Sequence, residues 1–331
     1  MGTEVDPAAP FVHLHLLNGG SLIATTKGIH HNVDIDESFR LYDWAFYIHE
    51  PHSGRHVLWD VGISQDRQDY IPSIRKIMDF MSCVGPERSL VEQLISLGVK
   101  AEDVDAVFFR YTISIVSISR PVNGHAHFDH ARPIANEFPR AHGYFGPGTA
   151  DECRSKMEPH NTDPSISHKY DPRMFEPEVS KERWSELPGP WVPFGVFDRA
   201  MDVFGNGSFW IIQAPGHMPG NLCAAVRVEG GEWVLLGSDC AHSKALIDGT
   251  HEIAVDHLPD GSMRCIHQDV PAAVDTISQI REMEKSHGFH IALAHDATWM
   301  TAAVRDEVLF GMLDEDFRTH IDLHIAKDEP F

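Results

Sequence analysis

His125-Ala126-His127-Phe128-Asp129-His130 places four metal-competent side chains in six positions. Imidazole nitrogens and a carboxylate oxygen are the donors that a zinc-class cation accepts. A tight turn leaving a strand can send His125 and His127 to one cation and Asp129 and His130 to an adjacent one. Each cation then needs further donors, and three short apolar runs lead to them. Trp210-Ile211-Ile212 runs toward Ala214-Pro215-Gly216-His217, Leu235-Leu236-Gly237-Ser238 ends at Asp239, and Ile291-Ala292-Leu293-Ala294 ends at His295. Such runs read as buried strands, so the donors fit a crevice at the rim of a sheet. Chance placement among 23 histidines accounts for His30 with His31, for His49, His52 and His56, and for His251 and His257, read as surface or turn residues. It does not readily give four donors in six positions with three strand-end partners.

The donor set resembles the metallo-beta-lactamase-fold hydrolases, and most of all their acyl-homoserine-lactonase and lactone-lactam hydrolase group, over residues 41–300. The resemblance implies an α+β four-layer αββα sandwich, two packed mixed β-sheets with helices outside. It implies that His125, His127 and His217 hold a first cation, that Asp129, His130 and His295 hold a second, and that Asp239 bridges them. Two divalent ions follow, zinc first, with manganese or iron suited to the same nitrogen and oxygen donors. The expected reaction is ring opening of a cyclic ester or cyclic amide, by attack of a metal-bridging hydroxide on the carbonyl. Asp129 is the proton-shuttle candidate, with pure ligation as its other role. His242 stands where the homoserine lactonases carry a tyrosine, three positions after the bridging aspartate. It is a candidate donor to the substrate carbonyl or leaving group, or a residue behind the ligands. Class B beta-lactamases have a cysteine at a ligand position and no bridging carboxylate, so Asp239 argues against an antibiotic-hydrolysing role.

Two other readings use nearly the same residues. One is a thioesterase of the glyoxalase II or polyketide-releasing type; the other is a catalytically silent relative acting as a binding protein. Redox di-iron relatives place a glutamate where this chain has His127.

The formal charge of −22, from 49 acidic and 27 basic residues, argues against nucleic acid or an anionic membrane surface as partner. A small, neutral cyclic substrate feels such a field little. Five scattered cysteines make no disulfide framework, the start shows no secretory leader, and no run reaches the length of a membrane span. The expected compartment is therefore the reducing cytoplasm, and an apolar patch on the early helices is compatible with a homodimer.

Along the chain, Phe11–Leu17 and Gly20–Thr25 read as a strand pair turning at Asn18–Gly20, and Asp43–His49 and His56–Trp59 as a hairpin ending in Asp60-Val61-Gly62. Asp60 reads as a turn residue or one that supports a ligand. Val104–Phe109 is a buried strand. Residues 110–124 then intervene before His125 as an atypical insertion: an edge strand, a surface loop, or a segment the functional chain lacks. A helix is expected over Ala131–Phe138. A cap segment over 150–195 supplies candidate pocket aromatics, Trp184, Trp191 and Phe194, with Phe197 just beyond, each equally readable as packing. Asp198–Val203, Ser208–Gln213, Leu222–Val228 and Trp233–Leu236 form a second strand series. Pro271–Lys285 reads as a helix burying Ala273, Val274, Ile277, Ile280 and Met283, and Val304–Leu313 as the closing helix. No linker marks a boundary, so one domain over 1–331 is expected.

Overall fold

The computed structural model describes residues 9–110, 128–156, 172–175 and 180–325. His125, His127 and the insertion up to residue 124, Arg110 apart, lie outside them. The first sheet runs in sequence order through β1 (His13–Thr25), β2 (Ser38–Glu50), β3 (Arg55–Trp59), β4 (Ala106–Phe108), β5 (His142–Phe145) and β6 (Trp184–Glu186). Its first three strands are antiparallel and the later pairings parallel. The second sheet takes β7 (Val192–Phe194), β8 (Phe197–Asp202), β9 (Phe209–Gln213), β10 (Leu222–Arg227) and β11 (Trp233–Ser238). After a two-stranded ribbon (β12, Asp256–His257; β13, Met263–Arg264) the chain returns as β14 (His290–Leu293), parallel to β11 at the sheet's end.

Period-two alternation explains how the sheets stack. On β2, Tyr42, Trp44, Phe46 and Ile48 share one core cluster with Trp59 and Phe108, and with Phe209, Ile211, Leu222, Ala224, Val234 and Leu236 of the second sheet. The intervening Leu41, Ala45 and Tyr47 join the cluster that also holds Ile74, Met78, Leu90 and Leu94 of the flanking helices. Two mixed sheets with helices outside are the αββα sandwich, as expected.

Several local expectations change. The first strand pair is one long strand, because both halves of β1 pair with β2 and only the register slips between Asn18 and Ser21. Asn18 Oδ1 accepts from Gly20 N at 2.8 Å, and Gly20 takes φ +102°, a bulge where a hairpin turn was expected. Ala131–Phe138 is irregular, with a turn over 135–137. There the amides of Ile134 and Ala135 donate to the Glu182 carboxylate, which diverts these two donors from a helical ladder. The helix Val270–His287 is present, but Val274 is exposed and Thr276 takes its place inside, donating to the Pro215 carbonyl at 2.7 Å. The closing helix is only Glu307–Phe310. Described parts of the 150–195 segment join both sheets, as β6 on one edge and β7 on the other.

Candidate metal centre

Strand ends bring the donors together. Asp239 follows β11 and His295 follows β14 by two residues, and these strands are neighbours. His217 sits in the turn between β9 and β10, and Asp129 and His130 lie in the turn Phe128–His130. Asp239 is at the middle. Its Oδ1 lies 3.4 Å from His130 Nε2, and its Oδ2 lies 3.3 Å from His295 Nε2, 3.3 Å from His242 Nε2 and 3.7 Å from His217 Nε2. Asp129 Oδ2 is 3.3 Å from His130 Nε2.

These spacings suit cations. Donors held at 2.0–2.1 Å from a tetrahedral zinc are about 3.3–3.4 Å from one another. Two buried groups of three meet the requirement of convergent donor atoms: Asp43 with His130 and His295, and His217 with Asp239 and His242. Charge points the same way. Asp43, Asp60, Asp129 and Asp239 are all wholly buried in this region, and Arg110 is the guanidinium buried with them. Four carboxylates taken out of water need more positive charge than one guanidinium supplies. Burial pushes the Asp43 carboxyl well above its usual range, His130 opposing and Asp129 and Asp60 adding to the rise. Asp239 is held well below that range, because His130 and His295 outweigh its burial. The residues present therefore fit a pair of divalent ions.

A supporting layer aims the imidazoles. Asp60 ends its strand in a left-handed conformation, φ +75°, with Oδ1 accepting from Gly62 N at 2.7 Å. Its Oδ2 accepts from His130 Nδ1 at 2.6 Å and from the Arg110 guanidinium. Burial alone would raise the Asp60 carboxyl, but Arg110 and His130 hold it low. His295 Nδ1 donates to the Tyr42 carbonyl at 2.5 Å. A carboxylate or carbonyl behind a ligating histidine fixes which nitrogen faces the metal.

Sequence reasoning missed Asp43, Arg110 and His267. Asp43 lies within an apolar strand, and nothing in Cys265-Ile266-His267-Gln268 marks His267. His30, read as a surface histidine, is buried and within hydrogen-bonding distance of Ser243 Oγ at 2.7 Å. His56 is tied to the Tyr47 hydroxyl at 2.6 Å. His242 is buried, stacked on His295 at 5.1 Å between ring centroids. The four aromatics are each engaged in packing. Phe194 stacks on Trp210 and meets Trp233 and Phe289, and Trp184 meets Phe145 edge-on. Phe197 is core, and Trp191 packs against the inter-sheet cluster.

No family model matches the chain. It is 25% identical over 319 residues, 89% of its length, to the cytochrome P450 monooxygenase mpaDE' of Penicillium brevicompactum, but spans only 34% of that longer protein. It is 26% identical over 326 residues to the metallo-hydrolase mfmC of Annulohypoxylon moriforme, covering 88% of this chain and 80% of that one. Among solved structures, an N-acyl homoserine lactone hydrolase with N-hexanoyl-L-homoserine at its catalytic metal centre superposes with a TM-score of 0.60 at 15% identity, over 88% of this chain and 96% of that one. Two stacked mixed sheets flanked by helices, with buried His and Asp donors converging at their rim, give the chain the αββα metallo-beta-lactamase fold, close in fold to the homoserine lactone hydrolase, and a donor set that fits a pair of divalent ions.

Proposed function

We propose that the chain opens a small, neutral cyclic ester or cyclic amide by hydrolysis. The observation that carries this reading is Asp239, one carboxylate whose two oxygens face separate imidazoles at 3.3–3.7 Å from within a wholly buried site. A pair of divalent ions, when bound there, supplies a water of lowered pKa and a Lewis acid for the substrate carbonyl. His217, with His125 and His127, would hold the first ion, and Asp129, His130 and His295 the second, with Asp239 shared between them. Asp129 takes the proton from the attacking water and returns it to the leaving oxygen or nitrogen. Asp60 and the Tyr42 carbonyl keep His130 and His295 turned inward. His242 donates to the substrate carbonyl or leaving group; its Nε2 faces Asp239 Oδ2 at 3.3 Å, and its Nδ1 has no hydrogen-bond partner among the described residues.

The homoserine lactone hydrolase with its ring-opened product at the metal centre supports this chemistry by analogy of fold. Zinc is the first choice of ion, with manganese and iron compatible. The compartment proposed is the cytoplasm: the five cysteines form no disulfide, and no helix among the described residues is long and apolar enough to cross a membrane. A single domain and a homodimer complete the reading.

The test is a panel of simple lactones, homoserine lactones, γ-lactams and aromatic cyclic carbamates set against acyl thioesters, all with metal-loaded protein. Ring opening is expected to be the faster class. Faster turnover of thioesters across the panel overturns the proposal in favour of a thioesterase, and no turnover by a fully loaded protein favours a binding role.

A further inference from the structure

His130, His295 and His217 each turn Nε2 toward Asp239, and what lies behind Nδ1 differs in each case. Behind His130 it is the Asp60 carboxylate, and behind His295 the Tyr42 carbonyl. Behind His217 it is another imidazole: His267 Nδ1 lies 3.4 Å from His217 Nδ1, the rings nearly perpendicular at 82° with centroids 5.1 Å apart. Both side chains are buried, at 1% and 3% exposure. One Nδ1 must donate and the other accept. A His217 that offers the Nε2 lone pair to a cation carries its proton on Nδ1. His267 then accepts at Nδ1 and keeps its own proton on Nε2.

We propose that His267 is a positioning residue for the first cation: its Nδ1 lone pair holds His217 in the tautomer and orientation that present Nε2 to the metal. This rests on the reading of His217 as a ligand. The backbone makes the two segments one unit. Gln268 N donates to the His217 carbonyl at 3.0 Å and Asp269 N to the Gly216 carbonyl at 2.9 Å. Thr276 Oγ1 closes on the Pro215 carbonyl at 2.7 Å, and His267 N is anchored to Cys265 Sγ at 3.3 Å. Gly216 lets the turn come this close, since a Cβ there would stand 2.2 Å from Ala273 N. The turn carrying His217 is thus clamped along residues 267–276, and the side-chain contact of His267 lies inside that clamp. A neutral imidazole at 3.4 Å is a weaker partner than a carboxylate at 2.6 Å, so the effect expected is the lower end of the 10- to 100-fold range typical of such supporting residues.

The experiment compares wild type, H267A, H267N and H217A, each loaded with Co2+ and titrated with a competing chelator. Bound metal per chain, the cobalt d–d absorption and the melting temperature of the metal-free protein are followed. Wild type is expected to hold two ions. H267A is expected to hold two at saturation, with one released at roughly tenfold lower chelator and the other unchanged, and with an altered cobalt spectrum. H267N, which restores an acceptor, is expected to return the weakened ion to near wild-type retention. The proposal is overturned if H267A retains both ions as wild type does. It is equally overturned if H267A holds one ion even at saturation, which makes His267 a ligand, or if H267N is as weak as H267A while both melt early without metal, which makes it packing. A wild type without metal, or an H217A that keeps both ions at full affinity, overturns the ligand reading and this inference with it, a pattern distinct from the others.

Discussion

Asp239 carries the largest expected single-residue effect. Replacing it with Ala removes the carboxylate whose two oxygens face His130 on one side and His242 and His295 on the other. Metal analysis of D239A after dialysis is expected to show fewer than two ions per chain, with ring-opening activity down by more than about 100-fold. His242 divides its two roles cleanly. H242F is expected to keep both ions while lowering kcat, if it serves the substrate; loss of an ion would instead make it a ligand beside His217 and Asp239. His30, buried against Ser243 next to His242, gives a pH prediction. Burial pushes its imidazole down to about 4, with His251 and His242 adding to the fall. The folded state therefore binds this proton less readily than the unfolded state, whose histidine titrates near 6.5. Its contribution is whole above about pH 6.5 and is lost as pH falls toward 4, so stability rises with pH across that window. Urea midpoints of H30N against wild type are expected to converge with acidification, by about 1–3 kcal/mol between pH 7 and 4.5. A constant difference would show that His30 is protonated equally in both states.

At the scale of elements, close backbone contacts decide where the strand ends point. Gly19 lies in the β1 bulge, where a Cβ would stand 2.3 Å from the Asp43 carbonyl and 2.9 Å from Gly62 Cα. That contact holds together the strand bearing Asp43 and the turn bearing Asp60. G19A is expected to destabilise the protein by about 2–4 kcal/mol in urea unfolding, since backbone must move to admit the methyl group. The stretch after β4 offers a second test. Arg110, its last described residue, packs against Asp60 and His130, so the chain that leaves at 110 is back at the same place by 130. Deleting Tyr111–Gly124 joins Arg110 to His125 and leaves three residues to reach Phe128. The deletion variant is expected to fold and to bind two ions at least as tightly as the full chain, because a shorter closed loop costs less entropy. Metal content and circular dichroism of the two chains check this.

For the whole molecule, ions bound only by the folded state add to its stability by mass action. At 100 times the dissociation constant the gain is about 2.7 kcal/mol per site. Calorimetry is expected to show a melting temperature that falls on chelation and recovers when zinc is returned in excess; an unchanged midpoint would mean the buried carboxylates are balanced without metal.

Much of this architecture was legible in the chain. Donor chemistry depends on residue type, and strands ending in Asp239 and His295 were readable because apolar runs of that length bury on both faces. The helix read over Pro271–Lys285 and the strand series from Asp198 to Leu236 followed from local pattern; the order of the second sheet, with His290–Leu293 parallel to Trp233–Ser238, did not. Periodicity did not show that the two halves of β1 pair with one strand, since a bulge and a turn use the same Asn-Gly-Gly chemistry. Nor could it place Asp43, Arg110 and His267 around the ligands. They lie up to 224 positions apart, and only the packing of two sheets brings them within reach. Which side chains can bind a metal is a property of single residues; which nitrogen each one presents is settled by partners distant in sequence, and so by the tertiary structure.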